Sequence, residues 1–185
     1  MVTKKEKAKA GHQEIQGETI AKFEFFEQGY NPYSRYLDVD KIDLILRKKE
    51  PHGVKYIEVQ VKYGRLYTAL TKNQAVFFDH TSWKIFKLNE FEGCSKNLFV
   101  AYVLSHPEGY KGDIFIFKAS VFNDLIKKSV ISKNKKGDQL RIMCIAKCRE
   151  SDRWYLWRSK RFTNLNDAEA IEVTKYRRNF DAVAL

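Results

Sequence analysis

The sequence predicts a mixed α/β domain. Three observations carry this. A helical apolar period runs to a glycine stop at Gly29, two alternating runs are joined by the turn-rich stretch 48–53, and apolar strand-like runs at 97–104 and 113–117 precede a helix-spaced segment. A chain of 185 residues with 44% hydrophobic side chains and 14% aromatics is ample for one core and unlike a disordered binder. One domain is expected over 11–185, preceded by a basic, frayed or loosely helical segment over 1–10.

In order along the chain, His12 to Gln28 reads as a helix whose apolar stripe is Ile15, Ile20, Phe23 and Phe26. At 100° per residue, Glu18 borders that stripe. Glu14 and Lys22 flank Glu18 at four-residue spacing, so a surface ladder of helix charge pairs also accounts for it. Gly29-Tyr30-Asn31-Pro32 breaks the helix, a strand runs from about Ile42 to Arg47, and a hairpin returns it as Val54 to Lys62, ended by Tyr63-Gly64-Arg65. Thr71 to about His80 reads as a short helix and Trp83 to Leu88 as a strand. The run 97–104 is continuously apolar, as a central strand would be, and 113–117 is its companion. Ser120 is placed to cap a helix over Val121–Lys128. Ser132 to Gly137 is a basic loop, Gln139–Cys148 and Arg153–Arg158 read as strands, and Asp167 to Thr174 as a final helix or turn. No internal repeat or low-complexity tract interrupts the chain.

The chemistry is concentrated in Tyr56-Ile57-Glu58-Val59-Gln60-Val61-Lys62. Alternation puts Glu58, Gln60 and Lys62 on one face and Ile57, Val59 and Val61 on the other. Same-face neighbours stand roughly 6.5 to 7 Å apart, so an acid, an amide oxygen and an ammonium group can serve one metal and one water. Asp43 arrives on the neighbouring strand among Ile42, Leu44 and Ile45, where an unpaired charge would be costly. An acid, an acid or amide, and a lysine in that arrangement suit phosphodiester hydrolysis. Each residue also has an ordinary reading: Asp43 as a strand-edge carboxylate facing solvent, Glu58 as a cross-strand partner, Lys62 as a solvated strand end. Asp40 falls in the preceding turn and ranks below Asp43.

These residues resemble the PD-(D/E)XK nuclease superfamily, the restriction-endonuclease-like fold. Asp43 matches the aspartate of that pattern, Gln60-Val61-Lys62 the (Asp/Glu)-x-Lys element, and Glu18 the glutamate of the preceding helix. Members writing the last element as Val-Gln-Val-Lys include a group-I-intron homing endonuclease family and Holliday-junction-resolvase-like proteins. The resemblance covers roughly residues 11 to 66. It implies a mixed β-sheet flanked by helices, with further C-terminal strands. It also implies a metal-dependent endonuclease of the restriction, homing or junction-resolving type, acting on duplex or branched DNA with Mg²⁺, or Mn²⁺ as substitute. Asp43, Gln60, Glu58 and Glu18 would be the metal ligands and Lys62 would complete the catalytic set. Gln60 stands where most members carry a carboxylate, which leaves open a protein of the same fold that binds nucleic acid without cutting. One active site cuts one strand, so a double-strand break implies a homodimer or partner subunit.

Lysine and arginine total 34 against 23 acids, giving +11 and favouring an anionic partner. Lys127 to Arg161 holds twelve basic and three acidic residues, most of the excess. Lys133, Lys135, Lys136, Arg153, Arg158, Lys160 and Arg161 are its candidate nucleic-acid contacts; a solubilising basic face is the plainer reading. Trp154, Tyr155 and Trp157 interleave with these cations and suit either base stacking or core packing. No run approaches a membrane span and no signal-peptide core follows Lys4-Lys5-Glu6-Lys7, so a cytoplasmic protein with no membrane partner is expected. Cys94, Cys144 and Cys148 lack the further ligands of a zinc site and read as reduced thiols.

Overall fold

A computed structural model describes residues 4–34, 42–68, 72–158, 164–165 and 169–184. Helix α1 (Lys4–Glu27) leads into β1 (Asn31–Ser34), β2 (Leu44–Glu50) and the long β3 (Gly53–Tyr67). Then come α2 (Lys72–Phe77), β4 (Phe78–Ser82), β5 (Lys84–Lys87), β6 (Leu98–His106), β7 (Gly109–Lys118) and α3 (Ala119–Lys128). Strands β8 (Val130–Lys133), β9 (Gln139–Met143), β10 (Ile145–Cys148), β11 (Trp154–Trp157) and β12 (Ala170–Glu172) follow, with a 3-10 turn at Thr174–Tyr176 and α4 (Asp181–Ala184) at the end. The result is a mixed α/β fold: a large, mainly antiparallel sheet flanked by helices, and a small sheet in the order β5-β9-β8.

Strand β3 is the axis. It pairs antiparallel with β2 through Gly53–Val59 and parallel with β6 through Glu58–Arg65, and takes up β4 at Leu66 and Tyr67. That parallel ladder is why β3 runs on past the expected stop at Tyr63-Gly64-Arg65: Gly64 lies over the Tyr102 ring, where an added Cβ would stand 2.8 Å from its hydroxyl. Strand β6 is buried throughout, as its continuous apolar run requires. Its alternate residues feed two cores. Phe99, Ala101 and Val103 join Ile57, Val59 and Tyr63 under α1, while Leu98, Val100, Tyr102 and Leu104 meet Phe86, Phe117 and Phe122 on the other face.

Helix α1 begins at Lys4, inside the segment expected to be frayed or loosely helical, and its buried stripe differs from the one expected. Ala21 and Phe25 go into the core, whereas Ile15, Phe23 and Phe26 are 65%, 63% and 62% exposed. Close packing selects that face. A Cβ on Gly17 would stand 2.9 Å from that of Tyr63, and Phe25 fits edge-on between Tyr30 and Phe180.

Other elements also depart from expectation. The stretch read as one helix to His80 is a six-residue helix followed by β4, because Thr81 and His80 pair with Ala146 and Lys147 of β10. Gln139–Cys148 is two strands in two sheets. Trp83 and Cys144 mark the matching crossings, where the Ser82 hydroxyl donates to the carbonyl of Ile145 at 3.1 Å and accepts from its N–H at 3.2 Å. Helix α3 starts at Ala119 without a side-chain cap, so Ser120 is not its N-cap. Of the helix or turn expected over Asp167–Thr174, 167 and 168 lie outside the described residues, and 170–172 add to β11 as a strand.

Candidate active site and nucleic-acid surface

The site forms where β3 changes partners. Strand β2 leaves it at Val59 and β4 does not join until Leu66, so β6 is the named strand neighbour over 60–65. Asp43 lies just before β2 rather than within it. Ile42 packs with Val100 and Tyr102, yet Leu44, two residues later, packs on the α1 side. Strict alternation would put both on one side, so the backbone turns at Asp43. Its N–H donates to the Val59 carbonyl at 3.0 Å, and its carboxylate Oδ2 accepts the Val61 N–H at 2.5 Å. The carboxylate thus replaces the missing strand at the edge of β3, between Gln60 and Lys62.

Gln60 shares the register position of Val100 and Lys62 that of Tyr102, which places both on the sheet face opposite α1. Gln60 is 6% exposed, and its Oε1 is buried with no hydrogen-bond partner. An acceptor left so costs about 1–3 kcal/mol. Lys62 Nζ meets Glu90 Oε1 at 3.0 Å and lies 5.7 Å from the centre of the Phe91 ring. With Gln13, Glu14, Val61, Tyr63 and Lys84 it lines a cleft of about 200 Å³. Burial, then the neighbouring Lys62, holds the Lys84 ammonium below the usual lysine range.

Glu18 is partly buried on α1, which packs on the Val59–Tyr63 face, and the helix residues lining the Lys62 cleft are Gln13 and Glu14. Glu58 is partly buried, paired with Ile45 on one side and Leu98 on the other. Among the described residues no three His, Cys, Asp or Glu side chains gather closely enough to hold a metal. The structure therefore sets the Asp43 carboxylate on the Val61 N–H, between the strand positions of Gln60 and Lys62, and among the described residues does not gather Glu18 and Glu58 with Asp43 into a three-carboxylate set.

An oxygen-loving cation fits what is present. Mg²⁺ keeps several waters and takes one or two protein oxygens plus substrate phosphate, and the unpartnered Gln60 oxygen and the Asp43 carboxylate on the adjoining Val61 N–H are of that donor type. Glu90, Lys84 and Glu14 were not predicted from the sequence. Glu90 and Lys84 lie far along the chain in loop and strand with no motif; Glu14 had one signal, its position one helical turn before Glu18.

Of the basic candidates, Lys133, Lys135, Lys136, Arg153 and Arg158 are exposed, while Lys160, Arg161 and also Asp40 lie outside the described residues. Trp154, Tyr155 and Trp157 are 0%, 7% and 1% exposed. They are core residues, which removes them as a stacking platform: alternate residues of β11 feed the cores on both faces of its sheet. Trp83, 46% exposed, is the accessible tryptophan.

No family model matches the chain, and no curated protein matches it. Among solved structures, a bacterial homing endonuclease, I-Ssp6803I, aligns over 62% of this chain and 72% of its own, at 13% identity and a TM-score of 0.39. A likeness of that degree fixes neither family nor activity.

Proposed function

We propose that this protein is a metal-dependent endonuclease of the PD-(D/E)XK kind that hydrolyses phosphodiester bonds in DNA. The single observation supporting it most is the buried, unpartnered oxygen of Gln60 on the residue next to Val61, whose N–H holds the Asp43 carboxylate, and two residues before Lys62. A core glutamine with an orphan acceptor is a poor structural choice and a good ligand. Asp43 and Gln60 would hold the ion; Glu58 shares the Gln60 face of β3, whereas Glu18 sits on α1 against the opposite face. A bound divalent ion supplies charge neutralisation on the phosphoryl oxygens and acidifies water.

The residues of the chain do the rest. Asp43 is fixed by the Val61 N–H, so its carboxylate is oriented without substrate. Lys62, held against Phe91, is placed to orient the attacking water or stabilise phosphoryl charge once substrate draws it from Glu90. Lys84 adds a second cation in the same cleft.

The pairing of Lys62 with Glu90 favours a second reading, a nuclease-fold protein that binds DNA but has lost cutting. Plasmid nicking with Mg²⁺ and Mn²⁺ separates the two. In the first, Lys62→Ala lowers the nicking rate by about 10²–10⁴-fold with duplex binding retained. In the second, the wild-type protein is inert on plasmid, branched and single-stranded substrates alike, and Gln60→Glu restores nicking. Loss of binding along with cutting in Lys62→Ala would count against the assigned role.

A further inference from the structure

From the register of β1, β2 and the first half of β3 we infer that their open face is a stacking platform for single-stranded DNA. It is continuous with the Gln60 and Lys62 face, so the substrate is one that offers an unpaired strand beside the cut. The nuclease reading enters only in choosing DNA and in placing the scissile phosphate at Lys62.

Leu44, Leu46, Ile57 and Val59 pack under α1, so the residues alternating with them take the other face. Pairing arranges these across the three strands: Asn31, Arg47 and Tyr56 form one row, and Tyr33, Ile45 and Glu58 the next. Lys49 shares the face, one step beyond Arg47 toward the hairpin turn. Along β3 the same face continues through Gln60 to Lys62, roughly 20 Å from Tyr56. At β6 it is closed, with Phe122 of α3 against Tyr102. At the hairpin it is open, and Tyr56 is 62% and Tyr33 47% exposed.

What this face carries suits an unpaired strand. A tyrosine ring on an open sheet stacks on any base whose own faces are free, and in a duplex neighbouring base pairs already occupy them. The Asn31 amide donates to the Tyr33 hydroxyl at 2.9 Å, which holds that ring in place. Arg47 and Lys49 have no ion pair among the described residues, and the adjoining acid, Glu50, alternates onto the α1 face. Both cations are therefore available to phosphates running past the rings. Glu58, the acid of these two rows, is half-buried and lies on the side toward Gln60. The face thus passes from cations and exposed rings at the hairpin to oxygen ligands at the site, so the strand is held by its phosphates and bases before it meets the ion.

The test is binding in chelator, by fluorescence anisotropy, to a twenty-nucleotide DNA strand of mixed sequence and to the duplex made from it. Tyr56→Ala is expected to weaken strand binding about tenfold, and Tyr33→Ala with Tyr56→Ala about a hundredfold. Tyr56→Phe should bind like wild type, because the ring stacks and the hydroxyl does not. Duplex affinity should change by less than about twofold in all three, since paired bases do not use the rings. Arg47→Ala with Lys49→Ala should lower the slope of log K against log salt on the strand by about 1.4, at about 0.7 for each phosphate no longer neutralised. A strand of abasic sites, which keeps the phosphates and needs no variant, should bind wild type only as tightly as the plain strand binds the double tyrosine variant. The platform is wrong if that variant holds the plain strand like wild type, if the abasic strand binds as tightly as the plain one, or if duplex affinity falls in step. Tyrosine-dependent strand binding by a protein that never nicks with Mg²⁺ or Mn²⁺ keeps the platform and loses the nuclease reading. Nicking by a protein whose strand binding ignores both tyrosines does the reverse.

Discussion

At the scale of single residues the decisive one is Gln60. A buried acceptor with no partner is a standing cost, and relieving it should trade activity for stability. Gln60→Met, close in volume and free of the orphan oxygen, is expected to raise stability by about 1–2 kcal/mol in urea denaturation while abolishing metal-dependent nicking. Gln60→Glu should do the opposite without metal. If, as proposed, residue 60 shares an ion with Asp43, the added buried carboxylate lowers the melting temperature in chelator and millimolar Mg²⁺ recovers it, a readout independent of cutting. Should Mg²⁺ leave the melting of that variant unmoved, the glutamine is not a ligand. The thiols give a simpler check on the core. Burial pushes the Cys144 thiol up to about 12, whereas Cys94 is only half-buried. Iodoacetamide at pH 8 should therefore label Cys94 in the native protein and reach Cys144 only on unfolding, as peptide mass spectrometry would show.

At the scale of elements, the position of α1 against β3 decides what surrounds Lys62, and two contacts set it. Gly17 fits against Tyr63, and the Glu24 carboxylate, 7% exposed, accepts the Tyr110 hydroxyl at 2.6 Å and the Arg178 guanidinium at 3.0 Å. Arg178 holds a left-handed φ of 51° to make that contact, so the chain end staples the helix. Arg178→Ala should cost about 1–3 kcal/mol in chemical denaturation, below the range for fully buried pairs because the arginine is half exposed and Tyr110 remains. The β4–β6 contact carries the pH dependence. His80 lies edge-on to His106 at 4.8 Å, and burial first, His106 second, lowers its pKa from 6.5. The folded state then binds its proton less readily than the unfolded chain, so stability present above about pH 6.5 is lost as pH falls below it. Urea midpoints at pH 7.5 and 5.5 should differ less in His80→Leu than in wild type.

For the whole molecule, the charge of +11 favours salt-sensitive attachment to an anionic partner, and the proposed nuclease function, with one Asp43–Gln60–Lys62 set per chain, predicts the order of cutting. A chain with a single site cuts one strand at a time, so supercoiled plasmid should pass through the nicked circle. Linear product should rise more steeply than first order in protein, because the second strand needs a second copy. Linearisation that stays first order in protein and bypasses the nicked form would point to two sites in one chain.

Local pattern alone determined the β2–β3 hairpin, the buried β6 and the common face of Gln60 and Lys62, because a two-residue period is a property of the backbone and needs no partner to be read. It also made Asp43 stand out, as a charge among apolar neighbours must. Tertiary structure decided the rest. Which stripe of α1 is buried depended on a glycine fitting a tyrosine from β3, and hydrophobicity alone favoured Ile15, Phe23 and Phe26. The tryptophans of β11 became core because both faces of its sheet are covered, a fact no single strand contains. Glu90 and Lys84 reached Lys62 across more than twenty residues of chain, through packing that carries no periodic signal.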